Sequence, residues 1–107
     1  ILFLGVAYKP DIDDERESPA LEIMEIVAHK GGVVSYHDPF ISLVETHGKG
    51  LRLDSVPLTA DTLGDADVVV LTTNHSVFDV EFIREHAKLI VDMRNMIRES
   101  SDKVYKL

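Results

Sequence analysis

Apolar residues arrive along this chain in short blocks, and the blocks alternate between two periods. Ile1-Leu2-Phe3-Leu4-Gly5-Val6 is an unbroken apolar run, as expected of a strand covered on both faces. The segment from Tyr8 to Ser18 is polar and irregular. A helix follows, with Ser18 as its N-cap, Pro19 at its first position and Glu22 where an acid favours the helix start. Leu21, Ile23, Met24, Ile26 and Val27 give it a broad apolar face, and Lys30 with Gly31-Gly32 supplies a basic last turn and a left-handed stop. Val33 to His37 reads as the second strand, ended by Asp38-Pro39, so that strand, helix and strand form one βαβ unit with parallel strands.

The stretch from Phe40 to Pro57 is less regular. Ile41 to Glu45 is expected to form a helical turn, 47–50 a loop, and Leu51 to Val56 a short strand. Thr59 to Leu63 reads as a short helix closed by Gly64, and Val68-Val69-Val70-Leu71 as the clearest central strand. Asp79 is expected to cap a helix reaching Ala87, followed by a buried strand at Leu89-Ile90-Val91 and an edge strand at Lys103-Val104-Tyr105. Short strands alternating with helices imply an α/β fold, a doubly wound, mainly parallel Rossmann-like sheet with helices on both faces. Ligands of such folds sit beyond the carboxyl ends of the strands, which directs attention to the loops beginning at Ala7, Asp38, Thr72 and Asp92.

Length and charge narrow the classes. With 107 residues and 45% apolar side chains, the chain suits one modest domain with a single buried core. No apolar run approaches the roughly 20 residues that a membrane helix needs, so no membrane partner is expected. The net charge of -8, from 19 acidic and 11 basic side chains, argues against a nucleic-acid surface but not against one phosphorylated metabolite. Without cysteine, disulfides, thiolate zinc sites and cysteine nucleophiles are excluded within the chain. A cytoplasmic location fits that composition. Because Ile1 already lies in a strand, the chain is expected to be a domain excised from a longer protein.

The loops hold the candidate chemistry. Gly5-Val6-Ala7-Tyr8-Lys9-Pro10 occupies the phosphate-loop position of a dinucleotide fold but lacks the G-x-G-x-x-G pattern. Lys9 is either a point charge aimed at a phosphate or a solvated loop lysine. The acidic run from Asp11 to Glu17 lacks the central glycine of an EF-hand loop, so no metal is expected there. Arg16 either faces the cleft or pairs with Asp13 or Asp14. Asp38 is better suited to turn formation than to binding a ribose, and His37 to packing than to catalysis. His75 lies in a cleft-facing loop, with no partner carboxylate evident in the sequence. Arg94 stands at a strand's carboxyl end, where it can grip a phosphate or hold its own loop together with Asp92, and Asn95 can order that loop. No residue is assigned a catalytic role.

Four segments in order, Gly5-Val6-Ala7-Tyr8-Lys9-Pro10, Asp13-Asp14-Glu15-Arg16-Glu17-Ser18-Pro19-Ala20, Tyr36-His37-Asp38-Pro39 and Val91-Asp92-Met93-Arg94-Asn95, resemble the carboxy-terminal domain of the UDP-glucose/GDP-mannose dehydrogenase family. The resemblance covers nearly the whole chain and is strongest toward UDP-N-acetyl-hexosamine 6-dehydrogenases. UDP-glucose 6-dehydrogenase is the near alternative, and a free-standing nucleotide-binding module the alternative of another class. It implies that residues 1–107 are the UDP-sugar-binding domain of a homodimeric enzyme that oxidises a sugar C6 alcohol to a carboxylate. NAD would be held mainly by an amino-terminal Rossmann domain, and the catalytic cysteine would also lie upstream, leaving the isolated chain inactive. The resemblance further implies that Tyr8, Lys9 and Arg94 contact the UDP-sugar and that Arg16 approaches NAD. Met93 departs from the small or polar residue more usual before that arginine.

Overall fold

The computed structural model of the chain describes residues 1–7, 19–45, 51–98 and 101–106. In order the elements are β1 (Leu2–Leu4), α1 (Pro19–His29), β2 (Ser35–His37), β3 (Leu43–Glu45), β4 (Arg52–Asp54), α2 (Ala60–Asp65), β5 (Val69–Leu71), α3 (Val80–His86), β6 (Ile90–Asp92) and β7 (Val104–Lys106). Five strands form one sheet in the order β2-β1-β5-β6-β7, every neighbouring pair parallel. Leu2, Phe3 and Leu4 pair with Ser35, Tyr36 and His37 on one side and with Val69, Val70 and Leu71 on the other. The order reverses at β1, so the switch point lies between β1 and β5.

Alternation along the strands divides the interior in two. Leu2, Leu4, Val69, Leu71 and Ile90 point to one face, where they pack with Leu63 of α2 and Ile83 of α3. Phe3, Val70 and Val91 point to the other, against Ala20 and Met24 of α1 and the buried ring of Tyr36. Both faces are covered, which is why β1 and β5 read as continuous apolar runs. Among the described residues no helix is long and apolar enough to cross a membrane.

Local chemistry sets most element ends where the sequence places them. Gly31, at φ +97°, and Gly32 return their N–H groups to Ala28 O at 3.1 Å and Val27 O at 2.9 Å, a Schellman stop for α1. Thr59 accepts from Thr62 N while Thr62 Oγ1 accepts from Thr59 N, a reciprocal cap on α2. Asp79 accepts from Phe82 N at the start of α3. The expected N-cap of α1, Ser18, lies outside the described residues.

Most strand boundaries shift by one or two residues from expectation, and one element changes type. β1 ends at Leu4 because Gly5 turns the backbone to φ +90°. β2 begins only at Ser35, level with Leu2 where its neighbour starts, and leaves Val33 86% exposed. α2 runs through Gly64 to Asp65 rather than stopping at it. The helical turn expected at 41–45 is instead strand β3, antiparallel to β4, with Val44 opposite Leu53 and Glu45 opposite Arg52. Burial of Val44 in the α1-side core and the 2.7 Å Glu45–Arg52 ion pair favour the hairpin, so partner contacts override a weak local pattern. Beyond β4 the chain lies along the outer edge of β2, where Val56 N donates to Tyr36 O at 2.8 Å.

Gly5 joins the two halves of the sheet. A Cβ at this position would lie 2.4 Å from Thr73 Cβ and 2.8 Å from Thr73 N, in addition to the strain of its positive φ. Gly31 has a similar φ but nothing within 4 Å of its missing Cβ. Gly5→Ala is therefore expected to cost about 2–5 kcal/mol and Gly31→Ala about 1–2 kcal/mol, read from urea unfolding midpoints. Equal costs would show that the approach to Thr73 does not matter.

Candidate functional site at the switch point

Three loops leave the carboxyl ends of β1, β2 and β5 side by side, and a short network fastens them. Gly5 N donates to His37 O at 2.9 Å, and Val6 N donates to Asp38 Oδ2 at 2.8 Å. Thr72 N donates to Leu4 O, and the Thr72 hydroxyl shares its proton between Leu4 O and Gly5 O. Thr73 Oγ1 donates to Ala7 O at 3.0 Å. The turn expected at Asp38-Pro39 is present, since Asp38 Oδ1 accepts from Phe40 N at 2.8 Å.

Asp38 also does what the sequence reading missed. Its Oδ2 lies 2.9 Å from His75 Nε2, with the two residues 4% and 1% exposed. A carboxylate only accepts, so His75 donates from Nε2. The histidine is thus buried against a partner carboxylate rather than turned toward the cleft, which corrects both expectations about it. Their separation of 37 positions hid the pair. The available signal was topological: both follow strands that flank β1, so either side of Leu4 leads to one of them. His37 packs as expected, with Nδ1 donating to Val56 O at 2.7 Å.

The loop after β6 is built around a second buried carboxylate. Asp92, 0% exposed, accepts from Arg94 N and Met96 N on Oδ1 and from Ile97 N on Oδ2, at 2.8–3.0 Å. Asn95 sits at the crown of this nest with φ 55°, a conformation that asparagine tolerates better than most residues. The Asn95 side chain accepts from Lys106 Nζ at 3.4 Å.

Arg94 leaves that loop at the protein surface. Its Nε donates to Thr72 O at 2.9 Å, and among the described residues its terminal nitrogens have no hydrogen-bond partner. Arg94 borders a pocket of about 230 Å³ that is also lined by Pro19, Ala20, Ile23, Thr72 and Met93. The pocket therefore joins the start of α1 to the ends of β5 and β6, and Met93 forms part of its apolar wall. A guanidinium fixed through Nε keeps both Nη groups in one plane, the geometry for bidentate contact with a phosphate or carboxylate. Tyr8, Lys9 and Arg16 lie outside the described residues. Among the described residues no three His, Cys, Asp or Glu side chains gather as metal ligands.

The geometry defines a class, doubly wound α/β domains that receive ligands at a switch point. Comparison with known proteins gives the family. Residues 2–99 match the model of the UDP-glucose/GDP-mannose dehydrogenase family, UDP binding domain, and the chain belongs to that family. UDP-N-acetyl-D-mannosamine dehydrogenase of Pyrococcus horikoshii is 36% identical over 104 residues, covering 92% of this chain and 22% of that protein. NDP-N-acetyl-D-galactosaminuronic acid dehydrogenase of Ralstonia nicotianae is 34% identical over 99 residues, covering 90% of this chain and 22% of that protein. A solved structure of the Pyrococcus horikoshii UDP-D-ManNAc dehydrogenase superposes with a TM-score of 0.73 at 28% identity, covering 98% of this chain and 24% of that one. The chain thus spans under a quarter of the length of these relatives.

Asp92 holds the loop through the backbone donors of Arg94, Met96 and Ile97, and Asp92→Asn replaces one buried acceptor by a donor. The expected loss is about 1.5–3 kcal/mol in denaturant unfolding. An unchanged midpoint would mean that the nest does not hold this loop.

Proposed function

We propose that residues 1–107 are the UDP-sugar-binding, carboxy-terminal domain of an NAD-dependent nucleotide-sugar 6-dehydrogenase. The substrate we favour is a UDP-N-acetyl-hexosamine, UDP-N-acetylglucosamine or UDP-N-acetylmannosamine. The observation that carries this reading is Arg94, pinned through Nε to Thr72 O and lining the pocket between the start of α1 and the ends of β5 and β6. Family membership as a UDP binding domain supports the uridine nucleotide, and relatives named for N-acetylated sugars support the hexosamine class. In this reading Arg94 grips the anionic part of the UDP-sugar, together with Tyr8 and Lys9 from the loop after β1. The reaction converts a C6 alcohol to a carboxylate in a homodimeric, cytoplasmic enzyme.

The described residues do not form a dinucleotide cradle. At the phosphate-loop position the backbone donors of Gly5 and Val6 are taken by His37 O and Asp38, and Gly5 faces Thr73. The sequence from Tyr8 to Ser18, ahead of α1, contains no glycine for the tight turn that brings a helix N-terminus to a pyrophosphate. This favours NAD being held mainly by another domain of the complete protein, with Arg16 approaching it from this one. Two NAD molecules in succession would supply the acceptors for the two hydrides that oxidation of an alcohol to a carboxylate releases, with water supplying the second oxygen; this chain contributes substrate binding.

In the complete enzyme, Arg94→Ala and Lys9→Ala are each expected to lower kcat/KM for the UDP-sugar by about 10–100-fold, the worth of one charge-assisted hydrogen bond. Parent-like kinetics in a folded Arg94→Ala enzyme would remove the central support for this site. The isolated 107-residue chain is expected to reduce no NAD with UDP-N-acetylglucosamine, UDP-N-acetylmannosamine or UDP-glucose. Assayed on the complete enzyme, the same three sugars decide the substrate, and turnover of UDP-glucose alone would overturn the hexosamine assignment.

A further inference from the structure

The Asp38–His75 pair is almost fully buried. Burying a carboxylate and an imidazole is costly unless their polar atoms are matched, and a matched polar contact fixes position more narrowly than apolar packing does. Here the matching is directional. Asp38 draws Val6 N, Phe40 N and His75 Nε2 onto one carboxylate, tying the loops after β1, β2 and β5 together. The imidazole is held laterally by Phe40 and Phe78, with ring centroids 5.0 and 5.4 Å away.

From His75 the connection runs to the pocket. His75 N donates to Thr73 O at 3.0 Å, closing a tight turn over 73–75. Thr73 and Thr72 fasten that turn to Ala7, Leu4 and Gly5 through their hydroxyls. The carbonyl of Thr72 is the acceptor from which Arg94 Nε hangs at 2.9 Å. A shift of the 72–75 turn therefore moves the acceptor that orients the guanidinium.

We propose that Asp38 and His75 are positioning residues for Arg94, acting as a buried polar strut that fixes the Thr72 carbonyl and, through it, the plane of the guanidinium. The inference rests on reading Arg94 as a substrate-binding side chain. The strut touches neither substrate nor cofactor. It acts on UDP-sugar affinity and leaves NAD affinity alone, a split that a general loss of stability would not produce.

The test is a double-mutant cycle in the complete enzyme, with UDP-N-acetylmannosamine or whichever of the three UDP-sugars it turns over as substrate. His75→Leu removes the donor to Asp38 and is expected to raise KM for the UDP-sugar roughly tenfold, with KM for NAD unchanged, since small misplacements of a binding group are felt at this scale. His75→Gln, whose amide reaches the Nε2 position, is expected to restore KM to within about threefold of the parent. In an Arg94→Ala background His75→Leu is expected to add less than about twofold, because coupled residues are not additive. Thermal melting establishes that each variant is folded. Should His75→Leu not fold, His75→Asn takes its place in the cycle, as its amide stops at the Nδ1 position and does not reach Asp38. Equal effects of the His75 change in both backgrounds, a parent-like KM in the single variant, or a rise in both KM values together would each overturn the proposal. If Arg94→Ala itself leaves UDP-sugar kinetics untouched, the reading of Arg94 has failed and the strut falls with it. Additivity, the same effect of the His75 change with and without Arg94, leaves Arg94 in place and removes only the strut.

Discussion

A carboxylate shut away from water must find donors, and at the switch point Asp38 finds three that belong to three different loops. The chain segments after β1, β2 and β5 thus converge on one carboxylate. Asp92 imposes the same condition at the end of β6, but all its donors come from its own loop. The first carboxylate therefore joins distant parts of the chain, and the second shapes one turn. Arg94 stands where the two arrangements meet, its backbone shaped by Asp92 and its side chain fixed to the loop that His75 secures.

This arrangement explains how a Rossmann-like sheet can serve a different ligand geometry at the same location. In a dinucleotide fold the glycine loop after the first strand leaves its N–H groups open to a pyrophosphate. Here Gly5 is retained for a different purpose, allowing the first loop to press against Thr73, and its N–H joins β1 to the end of β2. The backbone donors of Gly5 and Val6 are thus engaged within the protein. The arginine at the end of β6 has the chemistry for meeting a phosphate.

Periodicity made the fold legible wherever burial was two-sided or a cap was local. The apolar runs at 1–6 and 68–71, the Gly31-Gly32 stop, the Asp79 cap and the lysine-flanked final strand all carry their determinants within a few residues. The hairpin at 43–54 did not, because Val44 and Leu53 reveal themselves as strand residues only once paired and packed on α1. The site divides on the same principle. Arg94 could be singled out from its place at a strand end, while the Asp38–His75 contact depends on the spatial order β2-β1-β5, which no local window contains.

The last turn of chain beyond β4 has a bearing on association. By donating from Val56 to Tyr36 it occupies the outer rim of β2, so the sheet presents a covered margin on that side. The opposite margin is β7, where Tyr105 is exposed and Lys106 follows it. A lysine on a short margin strand resists the addition of further strands, since docking another backbone there would require its charge to be desolvated. Addition of a further strand is thus discouraged at both margins of the described sheet, by coverage at one and by charge at the other.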